Sequence, residues 1–227
     1  MSGSGPTLFA RAPEDASLAD PLPAAPLDLL QRWLDEARER GAQRNPTAMT
    51  VATRDRDGAL SARVVLCRGY DAEQGFLVFY TNRQSRKGEH LAHHAHAAAV
   101  LHWDALGRQV RIEGPIRRSP DAESDAYFAS RPRAAQIAAW ASDQSQPIAS
   151  RAALLERLHA AERRFGAEGA PVPRPPHWGG YRLHIERIEL WVGADGRAHD
   201  RALWTRALAP AGEGFAGGSW SVTRLQP

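Results

Sequence analysis

The chain has 227 residues, of which 43% are hydrophobic and 24% are charged, and its formal net charge is +3. This composition is typical of a globular protein and excludes a disordered or fibrous one, and the length suits one large domain or two small ones. No apolar run is long enough to cross a membrane, and no block of basic residues resembles a nucleic-acid-binding arm. We therefore expect no membrane or nucleic-acid partner, and a mildly basic surface suited to small anions.

The N-terminal segment differs in composition from the rest. Residues 1–25 are rich in Pro, Ala, Ser and Gly and carry no basic region followed by an apolar stretch, so we expect a flexible arm and no signal peptide. Residues 26–227 show no internal repeat or linker and are predicted to form a single domain. The single cysteine, Cys67, excludes an intrachain disulfide, suits a reducing cytoplasm and is predicted to be a small buried apolar residue.

The first periodic segment begins at Leu27, has its apolar residues at helical spacing and is ended by Gly41. Three strand-like runs follow, separated by turn-rich segments that end in glycine, and they predict an antiparallel meander: Ala48–Thr53, Ser61–Arg68 and Phe76–Thr81.

The segment "SRKGEHLAHHAH" predicts a short helix opened by Ser85. It contains Lys87, the one lysine of a chain whose other basic residues are arginines. Near the first turn of a helix, backbone N–H groups and basic side chains favour an anion, although a solvated surface or codon bias also explains the pair Arg86 and Lys87. His90 and His94 share one helix face as metal ligands can, but the zinc-protease pattern is missing, so we expect a solvated face and no metal.

The second half of the chain predicts more strands and helices. "AAAVLHW" and "RQVRIEGPIRR" read as strands, the latter with Val110 and Ile112 on a buried face. "SPDAESDAYFASRP" predicts a helix capped by Ser119 and supported by Glu123. "RAAQIAAWAS" predicts a short helix, "SRAALLERLHAAERRFG" a strongly amphipathic one with Leu155 inward, and "YRLHIERIELWVG" one strand. About seven strands with interspersed helices predict a mainly β barrel with peripheral helices, of the α+β class.

The segment "GRAHDR" places two arginines around a histidine. On a strand, Arg197, His199 and Arg201 would point to one face. Either a cleft that binds an anion or an exposed sheet face explains this pattern, and the residues alone leave both open.

Several motifs occur in an order that resembles the pyridoxamine 5'-phosphate oxidase family. They are "NPTAM", "ARVVL", "FYTNRQSRKG", "RQVRIEG", "SDAYFASRPR", "IAAWASDQSQ", "VPRPPHWGGYRL", "ERIELW", "HDR" and "RLQP". The resemblance implies an FMN-binding split β-barrel and a homodimer that holds FMN between its two chains. It implies oxidation of pyridoxamine or pyridoxine 5'-phosphate to pyridoxal 5'-phosphate, with O2 reduced to H2O2.

The resemblance also implies a set of site residues. The flavin phosphate would be held by Arg63, Arg86 and Lys87, and the remaining FMN contacts would come from Val64, Val65, Leu66, Tyr80, Thr81, Gln109, Gln144, Ser145, Trp191 and Arg201. The substrate phosphate would be bound by Arg68, Tyr127 and Arg131. Arg197 and His199 would lie over the substrate ring as the catalytic pair, orienting the substrate and steadying charge on its substituents.

The chain departs from the family pattern at the substrate end. Arg68 stands where the family usually has lysine, Ala135 where it often has serine, and Phe9 and Arg11 do not form the Arg-x-x-Tyr motif of many N-terminal arms. A guanidinium still binds phosphate, but its reach and geometry differ from those of an ammonium group. Two alternatives therefore stand beside the oxidase: a paralogous flavin oxidase acting on another reduced ring, such as a phenazine precursor, and a low-turnover protein that binds FMN or pyridoxal phosphate.

Overall fold

The computed structural model describes residues 17–166 and 170–227, so residues 1–16 of the predicted arm lie outside the described part. The described residues form five α-helices: α1 Leu27–Glu39, α2 Arg86–His93, α3 Asp121–Ser130, α4 Arg133–Ala141 and α5 Arg151–Phe165. They also form twelve strands: β1 Ala48–Arg54, β2 Leu60–Leu66, β3 Gly69–Asp71, β4 Phe76–Asn82, β5 His96–Trp103, β6 Arg108–Arg118, β7 Trp178–His184, β8 Arg187–Val192, β9 Asp200–Thr205, β10 Leu208–Ala211, β11 Gly214–Gly217 and β12 Ser221–Leu225. Among the helices of these residues, none is long and apolar enough to span a membrane.

One curled antiparallel sheet of ten strands carries the fold. Seven strands run in the order β12-β9-β8-β6-β5-β1-β2, and β3, β4 and β7 branch from β6. The long strand β6 joins both parts, because residues 108–113 pair with β8 while residues 116–118 pair with β7. Gly114 lies between these two stretches, and a Cβ there would stand 2.0 Å from the carbonyl oxygen of His184, so only glycine lets the two backbones pass this closely.

Apolar side chains fill the inside of the curled sheet. Trp103, Trp204 and Phe79 are among the largest fully buried residues, and Val110 and Ile112 are 0% exposed, as their alternation predicts. Helix α1 closes one side with its buried leucine and tryptophan face, and Gly41 follows its end with φ +55°, as predicted. A second, smaller cluster lies around α3, α4 and α5 and includes Phe128 and Trp178.

Residues 17–25 of the predicted arm lie against the sheet. Leu18 is buried, and its backbone N–H donates to Asp200 at 2.8 Å. The indole N–H of Trp204 donates to the carbonyl oxygen of Pro23 at 2.9 Å. These contacts tie the segment that precedes α1 to strand β9.

Three strand predictions were wrong in detail. The strands expected after α1 exist, but they do not form a meander, because β4 pairs with β3 and β7 rather than with β2. The alternating run "YRLHIERIELWVG" is two strands, β7 and β8, interrupted at residues 185–186, where the chain passes from one part of the sheet to the other. The number of strands is also larger than the seven expected, because short hairpin strands carry little periodicity.

Two helix predictions were wrong as well. Ser119 does not cap α3: Pro120 occupies the cap position without a side-chain bond, and the buried hydroxyl of Ser119 has no partner. Glu123 therefore does not complete a capping box but bonds to Tyr80 and Arg182. In α5, Leu155 is 42% exposed, so this helix is less amphipathic than its sequence indicates.

Candidate active site

A cavity of about 430 Å³ opens between β2, the end of β4, α2, α3 and the loop after α4. Its wall contains four cations and no carboxylate among the residues that the structure describes; the lining residues are Arg63, Val64, Val65, Leu66, Arg68, Tyr80, Thr81, Lys87, Tyr127, Arg131, Gln144 and Trp178. Like charges that converge on one cavity without carboxylate partners repel each other, so this lining suits an anionic ligand. The structure thus brings together most of the predicted cofactor residues and three predicted substrate residues.

Lys87 lies in the floor of this cavity and is 7% exposed. Its ammonium group donates to Gln144 Oε1 at 2.6 Å, to Thr81 Oγ1 at 3.0 Å and to Ser85 Oγ at 3.1 Å, and all three acceptors are neutral. Burial, and then the charge of Arg63, lowers the pKa of Lys87 to about 8. An anion in the cavity would supply the charge that these neutral partners lack.

The position of Lys87 depends on how tightly α2 packs. Gly88 follows it, and a Cβ at Gly88 would lie 2.1 Å from the carbonyl oxygen of Arg83. Ser85 precedes the helix as predicted, but its hydroxyl donates to the carbonyl oxygen of Asn82 instead of capping a helical N–H. The turn between β4 and α2 is therefore closed by short contacts that hold the ammonium group in place.

Arg63 forms the opposite wall, on the edge strand β2. Its guanidinium donates to the carbonyl oxygen of Val51 at 3.0 Å and to the hydroxyls of Thr53 and Ser61, each at 2.9 Å. Burial, and then the nearby Arg86, lowers the pKa of Arg63. These neutral acceptors fix the direction of the guanidinium and leave its charge available to a ligand.

A stack of three aromatic rings forms the far end of the cavity. Tyr80 stacks on Tyr127 with ring centroids 4.0 Å apart and on Trp178 with centroids 5.4 Å apart, at interplanar angles of 16° and 7°. The guanidinium of Arg131 lies 4.8 Å from the Trp178 ring, and one of its terminal nitrogens is buried with no partner. Such an unpartnered buried donor beside aromatic rings is suited to an anionic group on a flat ligand.

A second group of predicted residues lies elsewhere, and we call Gln109, Trp191, Arg197, His199 and Arg201 the β8–β9 patch. Gln109 pairs with Trp191, and Trp191 pairs with Arg201, so these three form one row across β6, β8 and β9. The rings of Trp191 and His199 have centroids 4.7 Å apart. The patch therefore presents an aromatic ring, an imidazole and guanidinium groups side by side.

Buried Glu189 orients Arg201 in this patch. Its Oε1 accepts from Nε of Arg201 at 2.9 Å, and its Oε2 accepts from Arg111 at 2.9 Å. His199 is oriented by the backbone, because its Nδ1 accepts from the N–H of Ala194 at 3.2 Å. The neutral imidazole consequently carries its proton on Nε2, where it is available as a donor.

The predicted strand through Arg197, His199 and Arg201 was wrong. Strand β9 begins at Asp200, and Arg197 lies in a short 3-10 turn before it. Gly196 and Arg197 both have positive φ, +62° and +64°, which no strand residue adopts. His199 reaches Trp191 from the end of this turn rather than from an alternating strand face.

Within one chain, the cavity and the β8–β9 patch do not meet along the sheet. Strands β1, β5 and β6 separate β2 from β8, which at a strand spacing of about 4.8 Å is roughly 19 Å along the sheet.

Two further predicted residues, Arg86 and Ser145, line a neighbouring pocket of about 690 Å³ instead of the cavity, and Ser145 has φ +75°. The predicted site residues thus form three groups: those that line the cavity, those of the β8–β9 patch, and the pair Arg86 and Ser145.

The solvated face predicted for His90 and His94 was wrong for His90. His90 is buried and its Nδ1 lies 3.1 Å from Thr53 Oγ1, whereas His94 follows the helix and contacts Arg54. No cluster of three metal-ligating side chains occurs in the described ranges 17–166 and 170–227.

The sequence analysis did not identify Trp178 and Glu123 as residues of the site. It did predict correctly that Cys67 is buried. Trp178 stands in "VPRPPHWGGYRL", a segment cited only as a family motif, and Glu123 was assigned to a helix cap. Both contribute to the aromatic end of the cavity, the first by stacking and the second through Tyr80. Cys67 is buried, and desolvation raises its pKa to about 11, so it is an inert thiol.

Comparison with known proteins identifies the family. A family model described as pyridoxamine 5'-phosphate oxidase matches residues 35–165, and one described as the pyridoxine 5'-phosphate oxidase C-terminal dimerisation region matches residues 178–227. Proteins named pyridoxine/pyridoxamine 5'-phosphate oxidase from Rubrobacter xylanophilus and Paraburkholderia phymatum are each 48% identical to the chain. The first match covers 89% of this chain and 87% of the relative, and the second covers 94% and 92%.

Solved structures agree with this assignment. PhzG from Burkholderia lata 383, in complex with tetrahydrophenazine-1-carboxylic acid, is 31% identical, with a TM-score of 0.79 over 92% of this chain and 95% of the other. An FMN-binding, pyridoxamine 5'-phosphate oxidase-related protein from Nostoc punctiforme, 16% identical, shows the same fold, with a TM-score of 0.66 over 91% of this chain and 100% of the other. The fold is the FMN-binding split barrel, and the chain belongs to the pyridoxamine 5'-phosphate oxidase family.

Proposed function

We propose that the protein is an FMN-dependent oxidase that converts pyridoxamine or pyridoxine 5'-phosphate to pyridoxal 5'-phosphate and reduces O2 to H2O2. The observation that carries this proposal is the cavity with four cations and no carboxylate in its described lining, which suits two phosphorylated ligands. The names of the relatives at 48% identity support the same activity. We place the enzyme in the cytoplasm, where its single buried thiol would stay reduced.

The residues of the cavity fit the phosphate and the flat ring of FMN. Lys87 and Arg63 face the cavity with only neutral hydrogen-bond partners, so they would hold the phosphate, with Arg86 reinforcing them from the neighbouring pocket. Val64, Val65 and Leu66 of β2 would lie along the ring, and Tyr80, Thr81, Gln144 and Ser145 would complete this chain's share of the flavin contacts. When bound, FMN supplies the acceptor for a hydride and passes the electrons on to O2.

The aromatic end of the cavity would bind the substrate phosphate. Arg131 has a buried donor without a partner, Tyr127 lies in the ring stack, and Arg68 lines the same wall. Two phosphates anchored at separate points would hold the substrate ring parallel to the flavin, which is the positioning that the reaction requires. Arg68 can donate two parallel hydrogen bonds to a phosphate, which would offset the hydroxyl that is missing at Ala135.

The β8–β9 patch would be supplied to each cavity by the partner chain of a homodimer. Trp191, Arg197, His199 and Arg201 all lie within the matched dimerisation region, and Gln109 lies beside Trp191. Arg201, Trp191 and Gln109 would then contact the flavin from the partner's side. Arg197 and His199 would cover the substrate ring, with His199 donating from Nε2 to a ring substituent and Arg197 steadying negative charge on it.

A second candidate is a flavin oxidase that acts on a reduced tricyclic acid. The 31% identity to PhzG, whose solved complex holds tetrahydrophenazine-1-carboxylic acid, supports it, as do the departures at Arg68 and Ala135. A carboxylate is a smaller anion than phosphate, and the same arginines could bind it.

Anaerobic reduction separates these candidates. The FMN-loaded protein is mixed without O2 with pyridoxine 5'-phosphate, with pyridoxine or with tetrahydrophenazine-1-carboxylic acid, and the visible flavin absorbance is followed. Bleaching by pyridoxine 5'-phosphate, and not by the unphosphorylated control, is the expected result. Bleaching by the phenazine acid alone would favour the second candidate, and tight binding of pyridoxal 5'-phosphate without any bleaching would indicate a low-turnover binding protein.

A further inference from the structure

We infer that Glu123 is a positioning residue for the substrate-phosphate end of the cavity, acting through Tyr80 on Tyr127 and Arg131. This inference rests on the proposed function, because it assigns the aromatic end of the cavity to the substrate. Glu123 does not line the cavity itself, and its carboxylate lies behind the ring stack.

One carboxylate joins three elements at this point. Glu123 Oε1 accepts from the hydroxyl of Tyr80 on β4 at 3.0 Å, and Oε2 accepts from Nε of Arg182 on β7 at 3.0 Å. Its side chain is 26% exposed and that of Arg182 19% exposed, so both are partly shielded from water. A shielded, two-sided contact of this kind fixes geometry better than an exposed ion pair does.

The contact holds one ring of this aromatic group. The Tyr80 ring is nearly parallel to those of Tyr127 and Trp178, at centroid distances of 4.0 Å and 5.4 Å, and the Tyr127 and Trp178 centroids are 6.1 Å apart, so each ring packs against both of the others. Burial, and then the carboxylate of Glu123, raises the pKa of Tyr80, so its phenol stays protonated and keeps donating to Glu123. With its hydroxyl held, the Tyr80 ring keeps one orientation, and the Tyr127 and Trp178 rings that pack against it are held nearly parallel to it.

Helix geometry extends the effect to the phosphate-binding residues. Tyr127 follows Glu123 by four residues and Arg131 follows it by eight, so the three lie along one side of α3 and its end. Arg131 is in turn seated 4.8 Å from the Trp178 ring and 5.5 Å from the Phe128 ring. Releasing Glu123 would therefore loosen both candidate phosphate ligands without removing either.

A simple structural role for Glu123 predicts something different, and α3 offers a matched control. Asp121 and Asp125 of the same helix pair with Arg174, at 3.0 Å and 2.6 Å, and their side chains are 73% and 59% exposed. This second link ties α3 to Arg174, which also donates to the backbone carbonyl of Trp178 at 2.7 Å, and it does not touch Tyr80. Loss of helix anchoring alone should thus appear in Asp125→Asn as well as in Glu123→Gln.

The test compares Glu123→Gln, Tyr80→Phe, the double variant and Asp125→Asn, all at saturating FMN. We expect each of the first two to raise KM for pyridoxine 5'-phosphate about five- to tenfold, with kcat within about twofold, because binding geometry is lost and chemistry is not. The double variant should raise KM by less than the product of the two single increases, since both changes act on the bond between Tyr80 and Glu123. Asp125→Asn should keep the wild-type KM.

Binding of pyridoxal 5'-phosphate by the same variants provides a readout that does not need turnover. We expect its dissociation constant to rise by the same factor as KM. Unchanged KM and unchanged binding in Glu123→Gln and Tyr80→Phe, with only a lower Tm, would overturn the inference, as would an equal KM increase in Asp125→Asn. A wild-type protein that binds pyridoxal 5'-phosphate but does not oxidise pyridoxine 5'-phosphate would refute the proposed function alone.

Discussion

The cavity and the β8–β9 patch are built in opposite ways. In the cavity, Lys87 and Arg63 are held by three hydrogen bonds each, and Gly88 lets α2 pack against a neighbouring carbonyl with no space for a methyl group. In the patch, Arg197 is exposed on a turn with positive φ, and nothing lies within 4 Å of where a Cβ on Gly196 would be. The side chains of the cavity are thus held in place by contacts within their own chain, whereas the turn of the patch is exposed to solvent.

This difference indicates how the site is divided. The cavity has its positive side chains already oriented and has no acidic side chain in its described lining, so it can bind an anion without rearranging. The patch, in which the Trp191 ring lies among polar side chains beside an exposed turn, is not enclosed by the described residues of its own chain. The edge strand β2 beside the cavity also leaves Leu60 77% and Val64 66% exposed, so the cavity side offers apolar surface of its own. We therefore expect the two regions to meet between chains.

The largest effect is expected from heterodimers made with two affinity tags. Arg131→Ala in the cavity and Arg197→Ala in the patch should each lower kcat/KM of the homodimer by at least about 100-fold. A heterodimer with one change in each chain should regain about half of wild-type activity, because one of its two sites takes both regions from unchanged surfaces.

The matching heterodimer carries both changes in one chain and none in the other. It should be inactive, because each of its sites then contains one changed region. If each chain held a complete site, the two heterodimers would exchange their activities, and the division of the site between chains would be refuted.

The next effect concerns the charge that closes the cavity. Lys87→Ala should weaken FMN binding by about 100-fold, since a charge-assisted contact to phosphate is lost. Riboflavin, which has the same ring but no phosphate, should bind both proteins with similar affinity. Quenching of flavin fluorescence measures both constants, and equal losses for the two flavins would assign Lys87 to the ring or to the fold instead of the phosphate.

The sequence predicted the cavity better than the patch, and there is a physical reason. Arg63 to Leu66, and Tyr80 to Lys87, are contiguous segments, so a short motif contains the local geometry that places them. The strand predicted through Arg197 was wrong because alternation of polar residues resembles a strand, while the positive φ of Gly196 is a property of the turn. The meander failed because β4 pairs with β7, about a hundred residues later, and no local pattern specifies such a partner. Trp178 reaches the cavity through this same pairing.

A smaller effect should appear in the pH dependence of FMN binding. The pKa of Lys87 is about 8 without a ligand, because burial disfavours its charge, and a bound phosphate would raise it. Below about pH 8 the ammonium group is already charged, whereas above it binding must take up a proton, so the dissociation constant should rise by up to about tenfold per pH unit.

Riboflavin and Lys87→Ala are the controls for this measurement. Riboflavin with the wild-type protein lacks the phosphate, and FMN with Lys87→Ala lacks the ammonium group. The dissociation constant of each pair should therefore stay constant between about pH 7 and about pH 9.5, a range that spans the titration of a lysine with lowered pKa. An FMN profile as flat as that of riboflavin would mean that Lys87 stays charged in the free protein, and that its burial does not tune the site.

The smallest effect is expected from a methyl group added to the open patch. Gly196→Ala meets no neighbouring atom but must adopt φ +62°, which costs about 1 kcal/mol for a residue with a side chain. Gly212, in the turn between β10 and β11, has φ +53° and equally open surroundings, so Gly212→Ala should lower the free energy of unfolding by the same amount. Only Gly196→Ala should also raise KM for pyridoxine 5'-phosphate, by about two- to threefold, because Arg197 and His199 follow it directly and their turn would shift.

Steady-state kinetics and thermal unfolding of the two variants separate these effects, because both variants share the backbone strain but only Gly196 lies next to residues of the patch. An identical KM in both variants would show that the turn adapts to its ligand whichever residue occupies position 196. The conformation of this turn would then not determine the affinity for the substrate.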